Sequence, residues 1–453
     1  MRIINAAQFN NYWQRRGISA GSDSAVDAVV REIIQAVRTE GDAALRRYAA
    51  AFDKSSPSCL EVPFDYALEA WEALRNNGSE TAAALELAAR HIFEFAKLQK
   101  KQLTKFEAET EKGLFTGQLV IPVERAAVYV PAGRFPLISS VLMGIIPALS
   151  AGVDEVVLAS PPMEDGVPNR NILAAAALSI QVCGNVVEKT KEARLRIFSI
   201  GGAQAIAALA LGTESVPRAD VIVGPGNKYV AAAKKMLFGE VGIDLIAGPT
   251  DVLVIAGGNA DADLIAADLL AQAEHDTEAC ARALADSQSL AEKIGAAVEK
   301  RLAALPEESR AVAASSLDAN GLIVVYNSKE EAVALANIIA PEHLELHCDN
   351  PDDWINSEEG PYLRNFGSLF IGSLAAEVLG DYSAGINHTL PTSGSARFTG
   401  GLSVRHFLKR PTTLRCVSGG GSEQAGNAAE ILGRAEGLAA HSRSAAIRRP
   451  LWK

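Results

Sequence analysis

The chain has 453 residues, 48% of them hydrophobic and 21% charged, and 43 basic against 54 acidic side chains leave a net charge of -11. So large an apolar share excludes global disorder, and 37 Gly with 19 Pro exclude collagen-like or low-complexity architecture. The acidic balance supplies no electrostatic footprint for a nucleic-acid backbone or an anionic membrane, and the length provides for two or more domains.

The N-terminal stretch MRIINAAQFNNYWQRRG lacks an apolar core of signal-peptide length, and no run of 18 apolar residues occurs anywhere. Cys59, Cys183, Cys280, Cys348 and Cys416 form no CxxC pair, so neither a zinc finger nor a disulfide framework is indicated. A cytoplasmic setting is the expectation. The first hundred or so residues read as helices: from Ser24, Val26, Val29, Val30, Ile33, Ile34 and Val37 recur at helical spacing, and from about Glu80 the apolar face is Ala82, Leu85, Leu87, Ala88, Ile92 and Phe95. His91 on that second helix reads as a surface or packing residue. After about Leu119 the rhythm changes to short β-branched runs alternating with helical segments. Arg125 to Val130, Glu155 to Ser160, Arg196 to Ile200 and Asp220 to Val223 read as strands of one parallel sheet. Val252 to Ala256, Leu322 to Tyr326 and Ser368 to Ile371 read as a second sheet, separated by helices near 260 to 274, 286 to 304 and 328 to 339. Beyond Leu402 the chain reads as helical, with a polar run from Glu423 to Ile447, and the basic residues Arg443, Arg448, Arg449 and Lys453 read as a solvated tail.

Several segments could carry chemistry. Gly224-Pro-Gly-Asn227 follows an apolar run and opens a helix, where backbone N–H groups face a phosphate, but Tyr229 stands at the third glycine position of the dinucleotide fingerprint. Turns at Ile200-Gly-Gly202 and Pro131-Ala-Gly133 add two glycine-bearing strand ends. Gln272 and His275, three apart, share a helix face: they could share a metal ion, or simply decorate a helix end whose dipole suits a histidine. Glu342 and His343 are adjacent, so they point apart and would serve separate proton transfers from one loop, whereas His347 reads as structural. Gly380 to Thr392 reads as an irregular loop in which Asp381 could complete a metal site and His388 could touch a ligand. Glu436 and His441 face different neighbours unless a helix ends between them.

In this order and spacing, Tyr129-Val-Pro-Ala-Gly133, Gly201-Gly-Ala-Gln204, Gly224-Pro-Gly-Asn227, Ala247-Gly-Pro-Thr-Asp251, Ala271-Gln-Ala-Glu-His275, Ala340-Pro-Glu-His343-Leu, Gly380-Asp-Tyr and Asn387-His-Thr-Leu-Pro-Thr392 resemble the histidinol dehydrogenase family. The resemblance runs from about Ala28 to Arg448. It implies zinc held by Gln272, His275 and Asp381 of one subunit and His441 of the other, and NAD contacted by Tyr129, Gln204 and Asn227. His343 would be the general base, Glu342 would activate the hydrating water, and Thr250, Gln272, His275, His343, Asp381, His388, Glu436 and His441 would line the substrate. The implied architecture is α/β, with two incomplete Rossmann-like doubly wound parallel sheets and a helical tail in an intertwined homodimer. Residues 1–125 would join 247–402 as the larger domain, 126–246 would form the NAD-binding domain, and 403–453 the dimerisation tail. The implied activity is NAD-linked oxidation of L-histidinol to L-histidine. Ala132 replaces a usual Gly, Thr250-Asp251 replaces Ser-Glu, the segment from Ile180 to Arg196 is long, and Arg134 and Arg397 flank the cleft. With Thr399-Gly-Gly401, these keep open an alternative: a paralogue oxidising another small alcohol, such as 2,3-dihydroxypropanesulfonate.

Overall fold

The structure is a computed structural model, and it describes residues 1–16, 24–53, 55, 57, 59–132, 136–184, 194–355 and 362–452. Gly133, Arg134 and most of the long 180–196 segment lie outside the described residues. Two six-stranded sheets organise the chain. In the first, Arg2–Asn5, Leu322–Val325, Cys280–Ala285, Asp251–Ala256, His343–His347 and Ser368–Ile371 lie side by side, every pair parallel. In the second the order is Gly242–Ile243, Val221–Val223, Arg125–Tyr129, Glu155–Ser160, Arg194–Ser199 and Glu61–Val62, with only the last pair antiparallel.

Both sheets are covered on both faces, as the two-residue period of a strand requires. Ala126 and Val128 enter one core while Ala127 and Tyr129 enter another. Likewise Val252, Val254 and Ala256 face one cluster and Leu253 and Ile255 the opposite one. The expected parallel α/β architecture is therefore present, and the strands that are read from the sequence fall within a few residues of those observed, while the strand Cys280–Ala285 and the helix Glu307–Asn320 are not among the expected elements.

Four differences are informative. The N-terminal part is not purely helical: Arg2–Asn5 edges the first sheet and Glu61–Val62 the second. Its helices Ser24–Glu40, Phe64–Asn76 and Glu80–Lys101 bury their apolar faces on the 126–223 sheet, so only residues 1–16 join 251–371, contrary to the expected pairing of all of 1–125 with that part. Beyond Leu402 the chain makes a 3-10 turn, Val404–Phe407, and then two strands. Leu408–Lys409 pairs with Ile121–Pro122, and Thr412–Cys416 with Leu114–Gln118, before the helix Gly420–Ala435. That helix stops ahead of Gly437, whose φ of +76° suits a residue without a Cβ, and Ala439–Ala446 follows. Finally, Gly380, Asp381 and Tyr382 lie in the helix Glu377–Tyr382 rather than in an irregular loop. Among the described residues no helix is long and apolar enough to cross a membrane.

Candidate active site

The sequence folds so that the amino edge of the first sheet meets the carboxyl edge of the second. Thr250 immediately precedes the strand Asp251–Ala256, and Glu342 the strand His343–His347 beside it. Opposite them, Pro225 and Gly226 leave the strand Val221–Val223, and Ser139 and Ser140 open the helix Ile138–Ala151. Between the two edges lies a cavity of about 240 Å3, lined among others by Ser140, Gly226, Thr250, His275, Glu342, His343, Asp381 and His388.

Adjacent strand positions send Glu342 and His343 in different directions, as their spacing implied. The Glu342 carboxylate accepts from the Thr250 hydroxyl at 2.5 Å and the Asp251 N–H at 3.1 Å, while its own N–H donates to Asp251 at 2.9 Å. Asp251 is in turn paired with buried Arg282 at 3.0 Å. Burial pushes the Glu342 carboxyl up to about 7, opposed by the His343 charge and the Thr250 hydrogen bond. His343 is 4% exposed and stands 3.4 Å from Asp381 and 3.9 Å from Glu377. Burial would lower its pKa, but the charges of Glu342, Asp381 and Glu377 outweigh that and hold it up at about 10. Asp381 is held below its ordinary value because His343, His388 and His275 overcome its own desolvation.

His388 meets the backbone carbonyl of Asp381 through Nδ1 at 2.9 Å and Ser140 through Nε2 at 3.0 Å, which ties the two halves of the site together. Gln272 is buried, and its amide nitrogen donates to Thr250 at 2.8 Å. Its carbonyl oxygen is thereby left as the atom for a cation. His275 and Asp381 line the cavity and Gln272 does not, but one amide oxygen, one imidazole and one carboxylate are donor types that zinc accepts. Glu436 and His441 are exposed, on either side of the Gly437 break, and neither lines the cavity of its own chain.

The dinucleotide-binding candidates stand at three strand ends of the second sheet. Tyr129 is buried and its hydroxyl accepts the Gly202 N–H at 3.1 Å. Gln204, one turn into the next helix, keeps a buried Oε1 without a partner, an acceptor available to a ligand. Exposed Asn227 caps the helix Lys228–Leu237, its Oδ1 accepting from Tyr229 and Val230. Gly224 is indispensable here: φ is +113°, and a Cβ would lie 2.1 Å from the Tyr129 carbonyl oxygen. Buried Lys234 and Asp244 pin that loop from beneath, Lys234 donating to the Gly224 carbonyl at 3.0 Å and Asp244 accepting its N–H at 2.7 Å. Ser140 and Glu377 were not anticipated. A serine opening a helix just after the Tyr129 turn and an acid buried at a helix start were the available signals.

A family model described as histidinol dehydrogenase matches residues 18–449. The chain is 44% identical over 433 residues to the histidinol dehydrogenase of Methylococcus capsulatus, covering 95% of this chain and 93% of that protein. It is 45% identical over 423 residues to that of Syntrophotalea carbinolica, covering 93% and 92%. The crystal structure of histidinol dehydrogenase from Elizabethkingia anophelis superposes with a TM-score of 0.85 at 33% identity, covering 99% of this chain and 97% of that one.

Proposed function

Since the chain belongs to the histidinol dehydrogenase family, we propose that it oxidises L-histidinol through bound histidinal to L-histidine, the closing steps of histidine biosynthesis, in the cytoplasm. One observation carries the reading to particular residues: a single cavity gathers Thr250, His275, Glu342, His343, Asp381 and His388. Gln272, His275 and Asp381, with His441 of the partner subunit, would hold zinc, and Tyr129, Gln204 and Asn227 would hold NAD at the Rossmann-like sheet. When bound, the metal would anchor the substrate's amine and imidazole, and two NAD molecules in succession would each accept one hydride.

The chain's own groups move the protons. In its neutral form, which is reached as pH rises towards its raised pKa, His343 takes the alcohol proton, and its carboxylate neighbours Asp381 and Glu377 stabilise the imidazolium that results. Glu342, hydrogen-bonded to Thr250 and ionising near neutrality, takes a proton from the water that hydrates the aldehyde. Glu436 and His441 would reach the substrate from a second copy, so the working unit is a homodimer. The exposed apolar side chains Ile431, Leu432, Ile447 and Leu451 of the tail support that reading.

The test is NADH formation with L-histidinol before and after chelation, with 2,3-dihydroxypropanesulfonate assayed in parallel. Chelator-sensitive turnover of histidinol is expected. Turnover of the sulfonate alone would overturn the assignment.

A further inference from the structure

His343, Glu345 and His347 share one face of their strand, and only the first lines the cavity. Behind it lies a second group. The Nε2 of His347 is 3.3 Å from Glu345 Oε2 and 3.8 Å from Asp268 Oδ2, the latter on the helix Ala262–Ala273. These three atoms all lie within 4.8 Å of one another. The His347 side chain is 1% exposed, yet neither ring nitrogen has a hydrogen-bond partner, and Glu345 Oε2 is also unpartnered. Glu345 Oε1 is used by the Glu377 N–H at 2.7 Å, which fixes the carboxylate with its other oxygen facing the imidazole.

The two buried carboxylates have no Lys or Arg ion pair among the described residues, and His347, even when protonated, offsets only one of their two charges. Ligand atoms bound about 2.0 to 2.2 Å from a tetrahedral cation lie roughly 3.3 to 3.6 Å apart, close to the 3.3 and 3.8 Å from His347 to Glu345 and Asp268. One imidazole and two carboxylates are donors for a first-row divalent ion, and two carboxylates balance its charge. The Asp268 side chain, 12% exposed, offers the edge by which an ion enters.

We propose that Asp268, Glu345 and His347 form a second divalent-cation site, distinct from Gln272, His275 and Asp381. The ion would clamp the helix that carries Gln272 to the strand that carries His343, fixing the relative position of the two sides of the cavity. The site stands whether or not histidinol is the substrate.

Metal content decides it. The full-length protein is stripped with chelator, reloaded with zinc, freed of excess by gel filtration and measured by inductively coupled plasma mass spectrometry. The parent is expected to retain two zinc ions per chain, His275→Ala one, and His347→Ala or Glu345→Gln one, with circular dichroism confirming that each variant is folded. One ion per chain in the parent that disappears in His275→Ala would overturn the proposal, as would a His347→Ala variant that keeps two. One ion that survives in His275→Ala but not in His347→Ala would uphold this site and remove the one at the cavity.

Discussion

Thr250 links two functional side chains with one hydroxyl, accepting from Gln272 and donating to Glu342. Thr250→Val keeps the volume and removes both bonds, leaving the buried Gln272 amide without this partner and the Glu342 carboxylate with the Asp251 N–H alone. A loss of about 1–3 kcal/mol in stability follows from the usual cost of such groups, and the freed Gln272 amide is expected to lower zinc retention. Denaturant unfolding and metal analysis check the two effects separately. At Glu342, only the ionised carboxylate can accept a proton from water. With its pKa pushed up to about 7, the rate with histidinal as substrate should rise with pH through that value and level off above it. Glu342→Gln should abolish this limb and slow histidinal oxidation by about 10²–10⁴-fold, since positioned acid–base groups contribute on that scale. A variant with an unchanged pH profile would assign the limb elsewhere.

At the scale of elements, the Gly224 loop depends on the helix that follows it. Lys234, on the helix Lys228–Leu237, is paired beneath the loop with Asp244 and bonded to the Gly224 carbonyl. Lys234→Met strands a buried carboxylate, so about 3–5 kcal/mol of stability should be lost in urea unfolding. Conservative Lys234→Arg should lose less. The strands legible in the sequence were those with β-branched runs, such as Glu155–Ser160 and Val221–Val223. Cys280–Ala285, with the sequence CARALA, was not, because a central strand buried on both faces needs no alternation and alanine carries no strand preference. The alternation from Leu344 to His347 reads as a strand, while Glu342 and His343 read as loop; the strand begins one residue earlier, at His343. The glycine turns and the Glu342-His343 pair were visible because turn chemistry and titratable side chains are local. The encounter of Asp268 with Glu345 and His347 was not, since it depends on how a helix lies across a sheet.

For the whole molecule, the test is whether a site needs two chains. His343→Asn and His441→Ala subunits should each be inactive alone. Unfolded together and refolded, half of the dimers would be hybrids with one intact site of two, restoring about a quarter of parental activity. No recovery would assign His441 to the site of its own chain, and an active His441→Ala alone would place it outside the site. The meeting of opposite sheet edges has an electrical consequence as well. In parallel α/β units helices begin at the carboxyl edge of a sheet and end at its amino edge. One wall of the cleft therefore presents the starts of Ile138–Ala151, Gly202–Leu211 and Lys228–Leu237, while the other presents the ends of Ala262–Ala273 and Lys329–Ile339. The first set carries partial positive charge and the second partial negative charge. The cleft is thus polarised from wall to wall like a charged capacitor, one side suited to an anionic group such as a pyrophosphate and the other to cations.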